Sequence, residues 1–141
     1  MRNRPVLAVF FAALVPLIVG AVWYAPFLFG RAWERAHGYD AAAMDALQAN
    51  MLRNYLVAFV TYLVMALVLR FLLYRLAASE VRSALQLATI CWLGFVATIG
   101  LTSILFAQQH LSLWGIDGSF QLIYMNLMAL ILRPRPAVKA V

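Results

Sequence analysis

The sequence predicts an all-α membrane protein, a small helical bundle of four transmembrane helices with both termini cytoplasmic. Three observations carry that prediction. Of the 141 residues, 66% are hydrophobic and 11% are charged, with a mean hydropathy of +0.88; soluble domains run closer to half apolar and about a quarter charged. A single domain of this length, residues 1–141, has no means of hiding so much apolar surface behind a water-facing shell, so lipid is its expected solvent. Four apolar runs approach the roughly 20 residues with which a helix crosses a bilayer core. The basic residues then sort by side: Arg2, Arg4, Arg70, Arg75, Arg82, Arg133, Arg135 and Lys139 inside, Arg31, Arg35 and Arg53 outside. Eight against three is the bias that the positive-inside rule describes.

The first span is expected from about Pro5 to Tyr24. Its basic start resembles a signal peptide, but the apolar stretch outruns the roughly 7–15 residues of such a segment. A cut after Ala25 would also place bulky Trp23 at a position that wants a small residue, so a retained helix is expected. Pro16 lacks an N–H, leaves the Ala12 carbonyl without its helical donor and predicts a kink, with Gly20 one turn later. The stretch GAVWYAPFLFGRAWERAHG then reads as an exit from the bilayer. Trp23 and Tyr24 suit the headgroup zone, Pro26 ends the helix, Gly30 turns the chain and Trp33 re-anchors it. Arg31 to His37 predicts a short helix closed by Gly38. Asp40 predicts the N-cap of a helix within an outer helical loop, 31–53, that either extends the second span, about Asn54 to Leu73, as a stalk or lies along the headgroups. Arg70, near the inner end of that span, is expected to snorkel toward the headgroups.

The third span is expected from about Leu85 to Phe106, with Ser79 as a cap. Within it Gly94, Thr98 and Thr102 recur every four residues, a narrow small-residue face suited to helix packing, and Ala97 and Gly100 widen it. Pro16 and Gly20 complete the set of expected packing positions. The fourth span, about Gly118 to Leu132 with Asp117 as its cap, gives only about 22 Å of helix. It would need neighbours, a thinned bilayer or a membrane-dipping approach from Leu111 to Trp114, and Pro134 and Pro136 mark its stop. Asn126 falls near the midplane, where its amide wants a partner across a helix interface; Thr98, Thr102 and Tyr62 are the chemically suitable ones. Cys91 is the single cysteine, which excludes an intramolecular disulfide and suits buried packing.

Candidate binding residues gather at the outer edge: Trp23, Tyr24, Trp33, His37, Asn54, Gln108 and His110, with Asn126 deeper in the bundle. An interfacial aromatic belt is the competing explanation for the aromatic members. The two histidines lack the local spacing of metal ligands, so neither a metal nor a cofactor is expected. No GxSxG, HExxH or phosphate-loop pattern is present, and no paired carboxylates, so an enzyme is not expected. All five acids are placed in loops or at edges, which disfavours proton-coupled transport. The basic clusters are too scattered to track nucleic acid. What remains is a protein of a bacterial inner membrane acting by association, as a homo-oligomer or an accessory subunit of a membrane complex. The alternative is a small-solute channel or carrier with an outer aromatic and amide vestibule. A third expectation is an outward-facing ligand sensor built on Trp33, His37 and His110.

Gly20, Trp23, Tyr24, Pro26, Phe29, Gly30 and Trp33, followed by Gly38, form a pattern that resembles the signature of a bacterial membrane family catalogued as domain of unknown function 1761. WLGFVAT, Trp92 to Thr98, resembles that family's third helix, and GSFQLIYMNLMALIL its last. The resemblance runs in order over nearly the whole chain, except between Tyr39 and Asn54. It implies a small four-helix membrane protein and no established activity.

Overall fold

The computed structural model describes residues 4–135, with side chains from Val6 onward; Arg2, Pro136 and Lys139, counted above, lie outside the described residues. The described chain is helical apart from its turns. The first helix, α1, spans Arg4–Trp23. Two short helices follow, α2 at Gly30–His37 and α3 at Ala41–Ala49. Then come α4 at Met51–Arg75 and a third span made of α5 (Val81–Cys91), a π-helical segment (Trp92–Ala97) and α6 (Thr98–Phe106). Helix α7 closes the bundle at Leu111–Leu132. Among the described residues four helical stretches are long and apolar enough to cross a membrane. Their outward sides display Phe10, Ile18, Val64, Phe71, Ile90, Phe95 and Ile99. No polar or charged residue is buried among the described residues. A surface this apolar belongs in hydrocarbon, and the chain is a multi-pass membrane protein.

Helix α7 holds the centre, packing on α1, α4, α5 and α6, while α1 also lies along α4. The core collects around its second half, where Phe120, Tyr124, Met125, Met128, Ala129 and Leu132 meet Val9, Ala12, Ala66, Leu69, Leu73, Ala84 and Ala88. The alanines on α1, α4 and α5 let their backbones approach a helix that contributes the larger side chains, the packing expected without a hydrophobic drive between helices. The end bearing α2 and α3 is the one that the sequence expects to face outward, and it is called the outer end below. At the inner end the Arg133 guanidinium donates to the Ser79 carbonyl at 3.0 Å, pinning the tail of α7 to the α4–α5 turn. Arg70 leans one turn toward the same end, its guanidinium carbon 4.2 Å from the centre of the Tyr74 ring.

Several local expectations hold. Asp40 caps α3, its carboxylate accepting from the Ala43 N–H at 2.8 Å. Gly38 closes α2 in the left-handed conformation, φ 67°, which a residue without Cβ adopts most cheaply. Others are corrected. The run from α3 into α4 is interrupted at Asn50, which ends one helix and starts the next. Ser79 does not cap the third span: Glu80 holds the N-cap position, without a side-chain bond. The α4–α5 turn instead begins as a Schellman closure, with Ala78 N–H on the Leu73 carbonyl and Ala77 N–H on Tyr74. Ala77 therefore takes φ 50°. Helix α1 is helical on both sides of a fully buried Pro16, the position at which the sequence expects a kink.

The largest correction concerns the fourth span. It starts at Leu111, with His110 rather than Asp117 as its cap, and its 22 residues give about 33 Å, enough to cross. Gly115, Asp117 and Gly118 are poor helix formers, each glycine costing about 1 kcal/mol relative to alanine. Tertiary bonds to this segment override that preference.

Candidate functional site

The tertiary bonds converge on Trp114–Gly118. Trp23 Nε1 donates to the Ile116 carbonyl at 3.1 Å, and Trp92 Nε1 donates to the Gly118 carbonyl at 3.0 Å. Trp114 Nε1 reaches the other way, to the Ala97 carbonyl at the end of the π-helical segment, 3.0 Å. Asp117 Oδ1 accepts twice, from the Tyr24 hydroxyl at 2.7 Å and from Trp33 Nε1 at 3.1 Å. All four tryptophans of the chain thus spend their N–H on ties between the outer half of α7 and its neighbours. A carboxylate oxygen only accepts, so the Tyr24 hydroxyl is the donor in this pair.

These bonds depend on the exit turn after α1. Phe29 N–H returns to the Trp23 carbonyl at 3.1 Å, and Gly30 N–H to the Ala25 carbonyl at 3.1 Å. Gly30 is buried there, and a Cβ on it would come within 2.3 Å of the Tyr24 carbonyl oxygen. No side chain fits that approach. Gly20 has a milder role, admitting the edge of Phe120, whose Cζ would be 3.4 Å from a Cβ.

Around Tyr24 the aromatic rings form a chain. Tyr62 meets Tyr124 edge-on at 5.5 Å, Tyr124 meets Phe120 at 4.9 Å, and Phe120 meets Tyr24 at 5.2 Å. Tyr24 then meets Trp33 at 5.6 Å, and Trp33 lies 4.1 Å from His37, which stacks on Tyr39 at 4.7 Å. Beside this wall, between α2, α3 and the start of α4, opens a cleft of about 460 Å³. Tyr24 and Trp33 face it from one side; Met44, Leu47, Met51, Tyr55 and Ala58 face it from the other. Glu34, Gln48 and Asn54 supply its polar atoms. The volume falls within the roughly 300–1,000 Å³ of small-molecule sites.

A family model described as a protein of unknown function, DUF1761, matches residues 7–133. The chain belongs to the DUF1761 family. The match takes in every element of the outer site of this DUF1761 protein, from the α1 exit to the whole of α7. No curated protein and no solved structure matches the chain.

Of the binding residues read from the sequence, Tyr24, Trp33 and Asn54 line the outer cleft. Trp23 and His37 belong to the same cluster through their bonds and rings but do not line it; His37 Nδ1 lies 3.1 Å from the Trp33 carbonyl, which fixes a proton on that nitrogen. Gln108 and His110 stand apart, exposed on the α6–α7 turn. Gln108 has φ 53°, and His110 Nδ1 accepts from the Ser112 N–H at 3.3 Å. Asn126 is half-buried on the seam between α5 and α7, and its partner is corrected: Thr89 donates to its Oδ1 at 3.3 Å, while its Nδ2 donates to the Leu122 carbonyl at 2.9 Å. Thr98, Thr102 and Tyr62 are not involved. Gly94, Thr98 and Thr102 turn away from the bundle, and nothing lies within 4 Å of a Cβ built on Gly94. Within the chain, the third span packs through Ala84, Ala88, Trp92 and Ala97 instead. Among the described residues no group of three or more His, Cys, Asp or Glu side chains is placed to hold a metal.

Asp117 is what the sequence reading placed wrongly. It stands about 9 Å along a spanning helix, so the acids of this chain are not confined to loops and edges. The available signal was the aromatic spacing: Trp114 three residues before Asp117, and two donors, Tyr24 and Trp33, on the α1 exit at the same outer end.

Proposed function

We propose that this DUF1761 protein acts without catalysis in a bacterial inner membrane, by side-to-side association, as a homo-oligomer or as an accessory subunit of a membrane complex. Both termini face the cytoplasm. The observation that carries this reading is the outward face of the third span. Thr98 Oγ1 donates to the Gly94 carbonyl at 2.9 Å and Thr102 Oγ1 to the Thr98 carbonyl at 3.0 Å. The face thus offers a shallow groove whose hydroxyls are already satisfied. In lipid, helices gain most where small residues let backbones approach closely, and this groove is open to a neighbour.

The carrier reading draws on the outer cleft. Phe120, Tyr124 and Tyr62 fill the interior beside it, so a route across the membrane would have to run between copies. Association is required either way.

A single cysteine at Thr102→Cys in a Cys91→Ala background tests the proposal by cross-linking in native membranes, with sizing in mild detergent. A cross-linked assembly that disappears on Gly94→Leu is expected. A solitary monomer in both measurements removes the proposal. A reporter fused after Val141 is expected to be active in the cytoplasm, and activity confined to the periplasm would reverse the orientation.

A further inference from the structure

The outer cleft has a chemical bias that association does not use. Three aromatic side chains line it, Tyr24, Trp33 and Tyr55, and its carboxylate is Glu34; no lysine or arginine lines it. Two of those rings are not ordinary aromatics. Tyr24 and Trp33 both donate their polar hydrogens to the Asp117 carboxylate, at 2.7 and 3.1 Å. Donation to an anion pushes electron density into the donor's ring, because hydrogen-bonded groups polarise one another at low dielectric. An enriched ring face attracts a cation more strongly, and more so once the cation is desolvated. Asp117 therefore projects negative potential through the aromatic wall without touching what lies in the cleft. The opposite wall suits a tail. Met44, Leu47 and Met51 form an adaptable apolar strip across the α3–α4 junction, and thioethers fill irregular space well.

We propose that the outer cleft binds a lipophilic monocation, an amphiphile with one positive head. The head lies against the Tyr24 and Trp33 rings within reach of Glu34, and the apolar part runs along Met44 and Met51. The head could belong to a free cation or to the ammonium of a phosphatidylethanolamine headgroup, since both present the same charge at the membrane surface.

The test uses the full chain in nanodiscs of digalactosyl diacylglycerol, a lipid without charge or ammonium, with radiolabelled tetraphenylphosphonium as the probe. Saturable binding above empty discs is expected. Glu34→Gln should weaken it about tenfold, Tyr55→Leu by about three- to tenfold, and Ala58→Phe should abolish it by filling the cleft. None of these three side chains takes part in the ties to α7, and an unchanged sizing profile confirms that each variant is folded. Neutral triphenylphosphine oxide should compete poorly. Binding that is unsaturable, or equal in wild type, Glu34→Gln and Ala58→Phe, overturns the proposal, as does equal competition by the neutral compound. Discs doped with phosphatidylethanolamine separate the sources: loss of probe binding assigns the site to the lipid headgroup, and unchanged binding assigns it to a free cation. Neither outcome depends on whether the protein oligomerises.

Discussion

The third span and α7 both cross the membrane, with 26 and 22 residues, yet 6% of the apolar stretch of the first is buried in the protein and 39% of the second. The less apolar helix is the more buried. In water that would be perverse. In hydrocarbon it follows, because a leucine gains little by exchanging lipid for protein, whereas a glycine, an asparagine or a carboxylate gains close packing and hydrogen bonds. Apolar composition decides which segments cross, and polar and small residues decide which crossing becomes the centre. Helix α7 carries Gly115, Asp117, Gly118, Ser119 and Asn126, and every other span packs on it.

That contrast is sharpest at Asp117 and Thr98. Asp117→Ala strands two half-buried donors; a fully buried donor without a partner costs about 1–3 kcal/mol, so for this pair a loss of roughly 2–3 kcal/mol is expected. Unfolding by denaturant in mixed micelles measures it, with Asp117→Asn losing less because one carbonyl acceptor remains. Thr98→Ala, on the outward face of the third span, should shift monomer stability by no more than about 0.5 kcal/mol. If the two variants cost the same, the division into a centre and a lipid-facing crossing is wrong. Next in size, Gly30→Ala forces its Cβ against the Tyr24 carbonyl; overpacking of this kind costs about 1–3 kcal/mol. It should also raise the accessibility of the exit turn to proteolysis, while Gly94→Ala has no such effect. Asn126→Leu removes the tie to Thr89 between α5 and α7. Interhelical polar bonds in membranes average about 0.6 kcal/mol, so a smaller loss in the same titration is expected, and Thr89→Val in the same background should add nothing further. One further change, of a size similar to the Asn126 effect, has the opposite sign. Ala77→Gly relieves a left-handed alanine at the α4–α5 turn and should stabilise by roughly 0.5–1 kcal/mol.

The four crossings were legible because length and apolarity alone set them, and the capping signals at Gly38 and Asp40 were legible because their partners lie within four residues. The start of α7 was not. Gly115, Asp117 and Gly118 read locally as a turn, and the indoles that hold them in a helix come from Trp23 and Trp92, 93 and 26 residues away from their acceptors. The outer cluster was legible as a set of residue types but not as an arrangement. Tyr24, Trp33 and Asn54 meet at the cleft, whereas His110 spends its ring capping its own helix. Composition could not distinguish a belt turned toward lipid from a clasp turned inward. Periodicity found the Gly94–Thr98–Thr102 face but carried no information on which side of the helix the bundle lies.

The inward-turned indoles give the molecule a built-in optical reporter. Every tryptophan is tied either to the outer half of α7 or from it, so detachment of that one helix would free all four fluorophores at once. Their emission should therefore shift in a single step as the bundle opens.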